Sequence, residues 1–270
     1  MRTLRAGVLF LLSALCAHPA TSFSLKNPVQ SWTKEIAVGY ERRVAADPSF
    51  PAKSVAEVFL AAGTQLTAEW QRRGAARLLP EIEFILAGVL TAVAGKYFSM
   101  WKVAKTQLVA THSTAAAAAA TDQELRFGGM KVPTNAFQAT LLDGFTPPSM
   151  KQRLGSLIAP TVPLFRAGMI ASAVGYGMTA GIFSGSRTRV VTQQVNIVYA
   201  CLYTGAFMAV VSNLRYQVLQ GVIEPAIDSW FRRVPFLRAT VIFAIRIGNG
   251  LLGSILAISG MRLLGLQKLK

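Results

Sequence analysis

The chain has 270 residues, of which 52% are hydrophobic and 15% are charged, and its net charge is +16. A soluble domain carries about 25% charged residues, and the apolar residues here form long blocks, so the composition favours a membrane protein over a soluble enzyme. The basic residues occur as singles and pairs beside apolar stretches with few aromatic residues between them, which is typical of membrane flanks and argues against nucleic-acid binding.

Residues 1–22 are predicted to be a removable secretory signal. Two arginines stand among the first five residues, residues 8–17 are apolar, and small residues precede a cleavage site between Ser22 and Phe23. The alternative is an uncleaved signal anchor or a first transmembrane helix. The apolar run is, however, well short of the roughly 20 residues that span a bilayer.

Residues 23–39 have the composition of an organelle transit peptide. The first twelve contain no acidic residue, two lysines and three hydroxyl residues, which is typical of such peptides. The junction from Ala20 to Phe23 resembles the cleavage motif in the two-part plastid signals of algae with secondary red plastids. The N-terminus therefore predicts delivery to a plastid through the secretory route, with another endomembrane as the alternative.

Residues 40–80 are predicted to form an amphipathic helical pre-domain. Asp47 and Pro48 mark a helix start, and apolar residues recur after it at roughly helical spacing. The predicted apolar face comprises Val55, Phe59, Leu60, Leu66 and Trp70, and the predicted wet face comprises Glu57, Glu69, Arg72, Arg73 and Arg77. Such a helix lies on a membrane or packs against it, and an ordinary soluble helical hairpin is the alternative.

Residues 81–270 are predicted to be a helical membrane domain. The four apolar stretches that could cross a membrane are 84–101, 154–183, 190–213 and 239–261. Residues 214–231 have one apolar face and fit an interfacial helix. The predicted fold class is all-α: a polytopic helical membrane protein with about four transmembrane helices and additional amphipathic interfacial helices.

Groups that catalyse reactions or bind metals are scarce in the sequence. The two histidines, His18 and His112, lie in the signal and in an alanine-rich connector, so Ser-His-Asp or Cys-His catalysis lacks a base. No metal-binding box is present. Gly248, Gly250 and Gly253 match a dinucleotide fingerprint in letters, but no strand precedes them, and we interpret them as helix-packing residues. We predict a protein that is not an enzyme and that has no cofactor or metal.

Ionisable residues inside the apolar stretches are the candidates for a functional site. Arg166 and Arg246 lie within predicted crossings, and Lys96 lies near the end of the first one. An ionised residue at membrane depth is costly and by default marks a polar interior, a pathway or a counter-ion site. The alternative is a residue near a helix end whose charge reaches the membrane surface. Arg215, which follows the third stretch, is interpreted as an interface anchor.

Three blocks of short motifs run through residues 40–266. The first extends from Ala46 to Glu83, the second covers residues 132–155, and the third joins residues 211–221 to a segment that begins at Arg246. In letters, order and spacing these blocks resemble the RETICULATA and RETICULATA-related family of plastid-envelope membrane proteins. The motif residues that the resemblance singles out are Asp47, Pro48, Phe50, Asn213, Arg215, Tyr216 and Gln217.

The resemblance implies a function in plastid development and in the supply or movement of metabolites, with amino-acid transport across the inner envelope as the leading proposal. Our first hypothesis is therefore a plastid-envelope transporter or exchanger of small metabolites, surrounded by membrane lipid. Four crossings are few for a carrier, so this hypothesis implies a homo-oligomer.

In this hypothesis Arg166 and Arg246 bind a substrate carboxylate, and carboxylates of the protein bind a cationic group. The candidate carboxylates are Glu81, Glu83, Glu224 and Asp228. The alternative hypothesis is a non-transporting membrane scaffold that organises the envelope through its interfacial helices at 53–77 and 214–231.

Overall fold

The computed structural model of the chain describes residues 28–79, 82–108, 125–183 and 194–265. Apart from loops and one short hairpin, these residues are helical, which confirms the all-α class. The helices are α1 (Pro28–Ala46), α2 (Phe50–Arg73), α3 (Ala75–Leu78), α4 (Ile82–Val103), α5 (Met150–Ile158), α6 (Thr161–Phe183), α7 (Gln194–Phe207), α8 (Asn213–Val218), α9 (Glu224–Trp230) and α10 (Pro235–Leu263). In the hairpin, β1 (Arg126–Phe127) pairs antiparallel with β2 (Met130–Lys131).

The predicted N-terminal signals lie mostly outside the described residues. This holds for the signal at 1–22 and for the junction between Ser22 and Phe23. Helix α1 begins at Pro28, inside the segment that was predicted to be transit-peptide-like, and continues to Ala46. The proposed cleavage site therefore precedes the first described helix.

Arg43 fixes α1 to the C-terminal end of α4. Its Nε and Nη2 donate to the carbonyl oxygen of Trp101 at 3.0 and 2.7 Å, and its guanidinium lies 3.8 Å from the centre of the Trp101 ring. Burial lowers the pKa of Arg43 to about 9, which leaves the side chain charged at neutral pH. The cation–π contact and the two hydrogen bonds stabilise this buried charge.

Helix α2 packs on α4 and α10 with the face that was predicted to be wet. Glu57 and Glu69, assigned to the wet side from the sequence, are buried, whereas Phe59 and Trp70, assigned to the apolar face, are exposed. The helical periodicity was predicted correctly, but the assignment of the charged face to water was wrong. Periodicity separates the two faces of a helix without saying which one is buried.

Helices α6 and α7 cross at a point where glycine removes the side chain from both. A Cβ on Gly168 would lie 2.7 Å from the carbonyl oxygen of Thr204 and 2.9 Å from the Cα of Gly205. The backbones therefore touch, as small residues allow. Next to this crossing, buried Leu164 and Ala167 form an apolar cluster with other helices.

Helices α7, α8 and α9 form one continuous rod over residues 194–230. Two π-helical segments, Met208–Ser212 and Leu219–Ile223, join them. Helical structure therefore runs without a break from the predicted crossing at 190–213 into the predicted interfacial helix at 214–231. One side of the rod is buried in the protein, since Tyr216, Leu219 and Glu224 are buried.

By length and apolar composition, two helical stretches within the described residues could cross a membrane, Met150–Gly175 and Pro235–Met261. They overlap the predicted crossings at 154–183 and 239–261. The described parts of the helices at the predicted crossings 84–101 and 190–213 do not pass the same test, so four crossings are not confirmed.

Candidate functional site

Six ionisable side chains meet where α2, α9 and α10 come together. We call them the ion-pair cluster: Asp47, Lys53, Glu57, Glu224, Asp228 and Arg246. Four of the six side chains are at least nine-tenths buried, and the carboxylates of Asp47 and Asp228 are partly open to the outside. The cluster therefore has a closed centre and a more open rim.

Arg246 forms the closed centre of the cluster. Its Nη1 donates to Oε2 of Glu57 at 3.0 Å, and its Nη2 lies 2.7 Å from Oε1 of Glu224. The other carboxylate oxygen of Glu57 accepts a short hydrogen bond from the hydroxyl of Tyr216. Arg246 also donates to the sulfur of Met100 at 3.2 Å. One guanidinium thus links helices from the start, the middle and the end of the chain.

Lys53 links this centre to the rim. Its Nζ lies 2.9 Å from Oε2 of Glu224, 2.7 Å from Oδ2 of Asp47 and 3.8 Å from Oδ2 of Asp228. Burial alone would raise the pKa of Asp47, but the ammonium group of Lys53 and the hydroxyl of Ser49 stabilise the carboxylate and hold its pKa below the usual 3.8. Asp47 is therefore ionised at neutral pH.

The closed centre leaves hydrogen-bonding capacity unused. Among the described residues, Nε and Nη2 of Arg246 and Oε1 of Glu224 have no hydrogen-bond partner, although Nη2 and Oε1 are close. A buried polar atom without a partner costs about 1–3 kcal/mol. Nε and Nη2 form one edge of the guanidinium, and such an edge can bind a carboxylate through two parallel hydrogen bonds.

An uncharged network of amides holds the rod in place behind the cluster. Nδ2 of Asn135 donates to the carbonyl oxygens of Val103 and Gln217 at 3.0 and 3.1 Å. Gln217 accepts from the amide of Ala136 at 2.8 Å and donates to the carbonyl oxygen of Ser156 at 2.9 Å. Asn135 and Gln217 are both fully buried, and satisfied amides of this kind fix one arrangement of the surrounding backbone.

Three of the six residues predicted for a substrate pathway come together, and Arg166 lies apart from them. Arg246, Glu224 and Asp228 belong to the ion-pair cluster. Arg166 is exposed on α6. Glu81 and the side chain of Glu83 lie outside the described part of the chain.

The seven family-motif positions differ in their relation to the cluster. Asp47 belongs to it, Phe50 packs in the core beside Tyr216, and Pro48 is exposed in the turn before α2. Asn213 donates to the carbonyl oxygen of Leu157 at 2.7 Å. Gln217 belongs to the amide network. These positions mainly fix the elements that carry the charged groups.

Arg215, interpreted from the sequence as an interface anchor, is half-buried against α10. Its Nε and Nη2 donate to the side-chain oxygen of Asn249 at 3.1 and 2.9 Å. A Cβ on Gly253 would lie 2.7 Å from Cζ of Arg215. Gly253 is thus a packing residue, as predicted, because the guanidinium crosses α10 there. A Cβ on Gly248 or Gly250 would meet nothing within 4 Å.

Lys53 and Glu57 are site residues that the sequence did not single out. They lie one helical turn apart on α2, and Asp228 and Glu224 lie one turn apart on α9. A search for ionisable residues at i and i+4 on helices that also carry large apolar residues would have found both pairs. Within the described residues, no group of three or more His, Cys, Asp or Glu side chains is arranged to hold a metal ion.

The fold and the site define a class of helical protein that carries ionised side chains in its interior and many large apolar side chains on its surface. Residues 42–222 match the RETICULATA-like family model, described as Protein RETICULATA-related. The chain belongs to this family. The match contains Asp47, Lys53 and Glu57, whereas Glu224 and Arg246 follow its last residue.

Two relatives from Arabidopsis thaliana extend the similarity over most of the chain. Protein RETICULATA-RELATED 4, chloroplastic, is 30% identical over 254 residues, which is 90% of this chain and 62% of that protein. Protein RETICULATA-RELATED 5, chloroplastic, is 24% identical over 239 residues, which is 86% of this chain and 32% of that protein. The chain therefore spans less than two thirds of the length of either relative. No solved structure is significantly similar to it.

Proposed function

We propose that the chain is a plastid-envelope membrane protein that transports or exchanges small metabolites such as amino acids, with the ion-pair cluster as its polar centre. The plastid location is supported by the chloroplastic names of both relatives. The route through the secretory pathway is supported by the composition of residues 1–39.

The observation that carries the proposal is the burial of Arg246 in a helix long and apolar enough to span a membrane. Its side chain is inaccessible and is held between carboxylates from two other helices. Apolar residues of similar volume in place of a buried ion pair often leave stability unchanged or raise it. Stability alone therefore does not account for the cluster, and ionised groups at membrane depth commonly serve substrate or ion pathways.

The geometry suggests how a zwitterionic substrate would bind. Its carboxylate would take the Nε and Nη2 edge of Arg246 and compete with Glu224, and its ammonium group would bind the carboxylate so released. Because the same ion pairs join α2, α9 and α10, an exchange of partners would also loosen the contact between these helices. Binding would thus be coupled to a movement that opens the site to the other side.

The test is exchange of radiolabelled amino acids in liposomes that contain the purified protein. We expect Arg246→Ala to lower exchange at least about tenfold, since a charged hydrogen-bonded contact contributes about 1.5–3 kcal/mol. Arg246→Lys should not restore it, because lysine lacks the two-pronged edge. Arg166→Ala is the matched control: it also removes an arginine from an apolar helix, but an exposed one outside the cluster.

Wild-type exchange by Arg246→Ala at equal abundance would overturn the role of the cluster. Wild-type protein that inserts fully but exchanges none of the twenty amino acids would overturn the substrate class.

The second candidate function, a membrane scaffold, is favoured by the large apolar side chains exposed along α2 and α10. It predicts that the protein changes vesicle shape, as measured by electron microscopy, and that the Arg246→Ala variant changes vesicle shape as much as wild type does.

A further inference from the structure

Helix α2 has its polarity reversed relative to a helix on the surface of a water-soluble protein. The ionisable residues of α2 whose burial the structure describes, Lys53, Glu57 and Glu69, are each 4% exposed. The large apolar side chains of α2 that are exposed, to between 38% and 71%, are Val55, Val58, Phe59, Leu66 and Trp70. The reversal extends over most of the 24 residues of the helix.

The buried polar stripe has partners along its length. Lys53 and Glu57 belong to the ion-pair cluster. Further along, the hydroxyl of Thr64 accepts a hydrogen bond from Nζ of Lys96 on α4 at 2.8 Å, and Glu69 accepts one from Gln65 at 3.0 Å. Each of these ionisable groups is therefore stabilised from inside the protein, which is what a lipid-embedded helix requires of its charges.

Exposure of the outer face of α2 to water would be energetically unfavourable. Each Å² of apolar surface left in water costs about 25 cal/mol, and burial of a charge costs several kcal/mol before its partner repays it. In water both terms would favour the opposite orientation of the helix, with its charged face outside and its apolar face buried. In lipid both terms change sign, because the outside is then less polar than the interior of the protein.

The apolar surface continues from α2 onto α10, which it contacts. Exposed large apolar side chains run along α10 at helical spacing: Phe243, Ile247, Leu251 and Ile255. Helix α10 contains one of the stretches long and apolar enough to cross a membrane. Helix α2 is about 36 Å long at 1.5 Å per residue, and the hydrocarbon core of a bilayer is about 30 Å thick.

We infer that α2 crosses the bilayer beside α10, with its outer face against lipid acyl chains and its polar stripe against the protein interior. Hydropathy does not detect this crossing because the helix contains Lys53, Glu57, Glu69, Arg72 and Arg73. The inference rests on the membrane location in the proposed function and is independent of what the protein transports.

The test is the depth of α2 in vesicles of phosphatidylcholine and phosphatidylglycerol. Single cysteines replace the outward residues Val55, Phe59, Leu66 and Trp70 in the full chain, with Cys16→Ala and Cys201→Ala, and each carries a nitroxide spin label. Collisions with oxygen report lipid, and collisions with a water-soluble nickel chelate report water. We expect oxygen to dominate at Phe59→Cys and Leu66→Cys, and the nickel chelate to gain toward Val55→Cys and Trp70→Cys.

Three results would overturn the inference. A flat surface helix would give the same shallow depth at all four labels. A water-exposed helix would give dominant nickel collisions at Phe59→Cys and Leu66→Cys. A second copy of the chain or another protein on this face would exclude both reagents.

A label at Ile255→Cys on α10 separates this inference from the proposed function. Ile255 is 61% exposed and lies in the stretch that could cross a membrane. If its label lies in lipid and those on α2 do not, only the inferred crossing by α2 is wrong, and the membrane location stands. If neither helix lies in lipid, the membrane location itself is wrong.

Discussion

At the scale of single residues, Arg246 depends on two carboxylates for its charge balance. Glu57→Ala leaves the buried guanidinium with Glu224 alone, which Lys53 also shares. We expect a loss of about 3–5 kcal/mol in the free energy of unfolding, as for other buried pairs broken on one side. Chemical denaturation in detergent, followed by circular dichroism, measures this loss.

The matched control for that variant removes the stranded charge as well. Glu57→Ala with Arg246→Met should be more stable than Glu57→Ala alone, because no uncompensated cation stays buried. A double variant less stable than the single one would mean that Arg246 stabilises the fold through contacts other than its ion pair with Glu57.

Asp47 gives the rim of the cluster a defined pH dependence. Its pKa is held below 3.8 in the folded protein despite burial, mainly by the ammonium group of Lys53. A carboxyl group with a lowered folded pKa contributes stability above its unfolded pKa and loses it as the pH falls through the folded value. The melting temperature of wild type should therefore exceed that of Asp47→Asn at pH 7, and the difference should shrink below pH 3.8. A constant difference from pH 7 to pH 3 would contradict this assignment.

At the scale of elements, the crossing of α6 and α7 is set by Gly168. A Cβ there would meet the backbone of Thr204 and Gly205 at under 3 Å, and backbone cannot move aside as a side chain can. We expect Gly168→Ala to lower the melting temperature. Gly250→Ala, where the added Cβ meets nothing within 4 Å, should raise stability by about 0.5–1 kcal/mol, because alanine favours a helix. Equal effects of the two substitutions would place the helices further apart than described.

The sequence predicts some of these elements better than others. Helices α6 and α10 follow from their long apolar runs, which is the strongest signal that a sequence offers. Helix α2 was placed correctly, but its charged face was wrongly assigned to water, because an amphipathic pattern does not show that a charged face packs against other helices. The π-helical joints within the rod at 194–230 have no composition of their own, so its continuity could not be predicted.

Some residues of the candidate site could likewise be predicted from the sequence, and others could not. Arg246 stood out because an arginine in an apolar stretch is rare. Glu57 and Lys53 did not, because their helix also carries charges at its C-terminal end and looks like an ordinary amphipathic helix. Which carboxylates face Arg246 depends on contacts across the whole chain, and local sequence patterns contain no information on such contacts.

At the scale of the whole molecule, the ion pair between Glu57 and Arg246 joins residues 189 positions apart in the sequence. Until α10 docks, the cluster holds the four carboxylates of Asp47, Glu57, Glu224 and Asp228 against the single ammonium group of Lys53. The last helix therefore supplies the cation that the earlier helices need.

This order makes the cluster a marker of whether α10 has been made and has docked. A nascent or truncated chain that ends after Arg233 would keep the carboxylates of the cluster without Arg246, and burial of an unpaired charge is costly. We expect this truncated chain to be degraded faster than the full chain in a pulse–chase experiment. Glu57→Gln with Glu224→Gln should slow that degradation, since the truncated chain then has less negative charge to bury. Degradation unaffected by the two substitutions would show that the missing helix is sensed by its absent packing rather than by its absent charge.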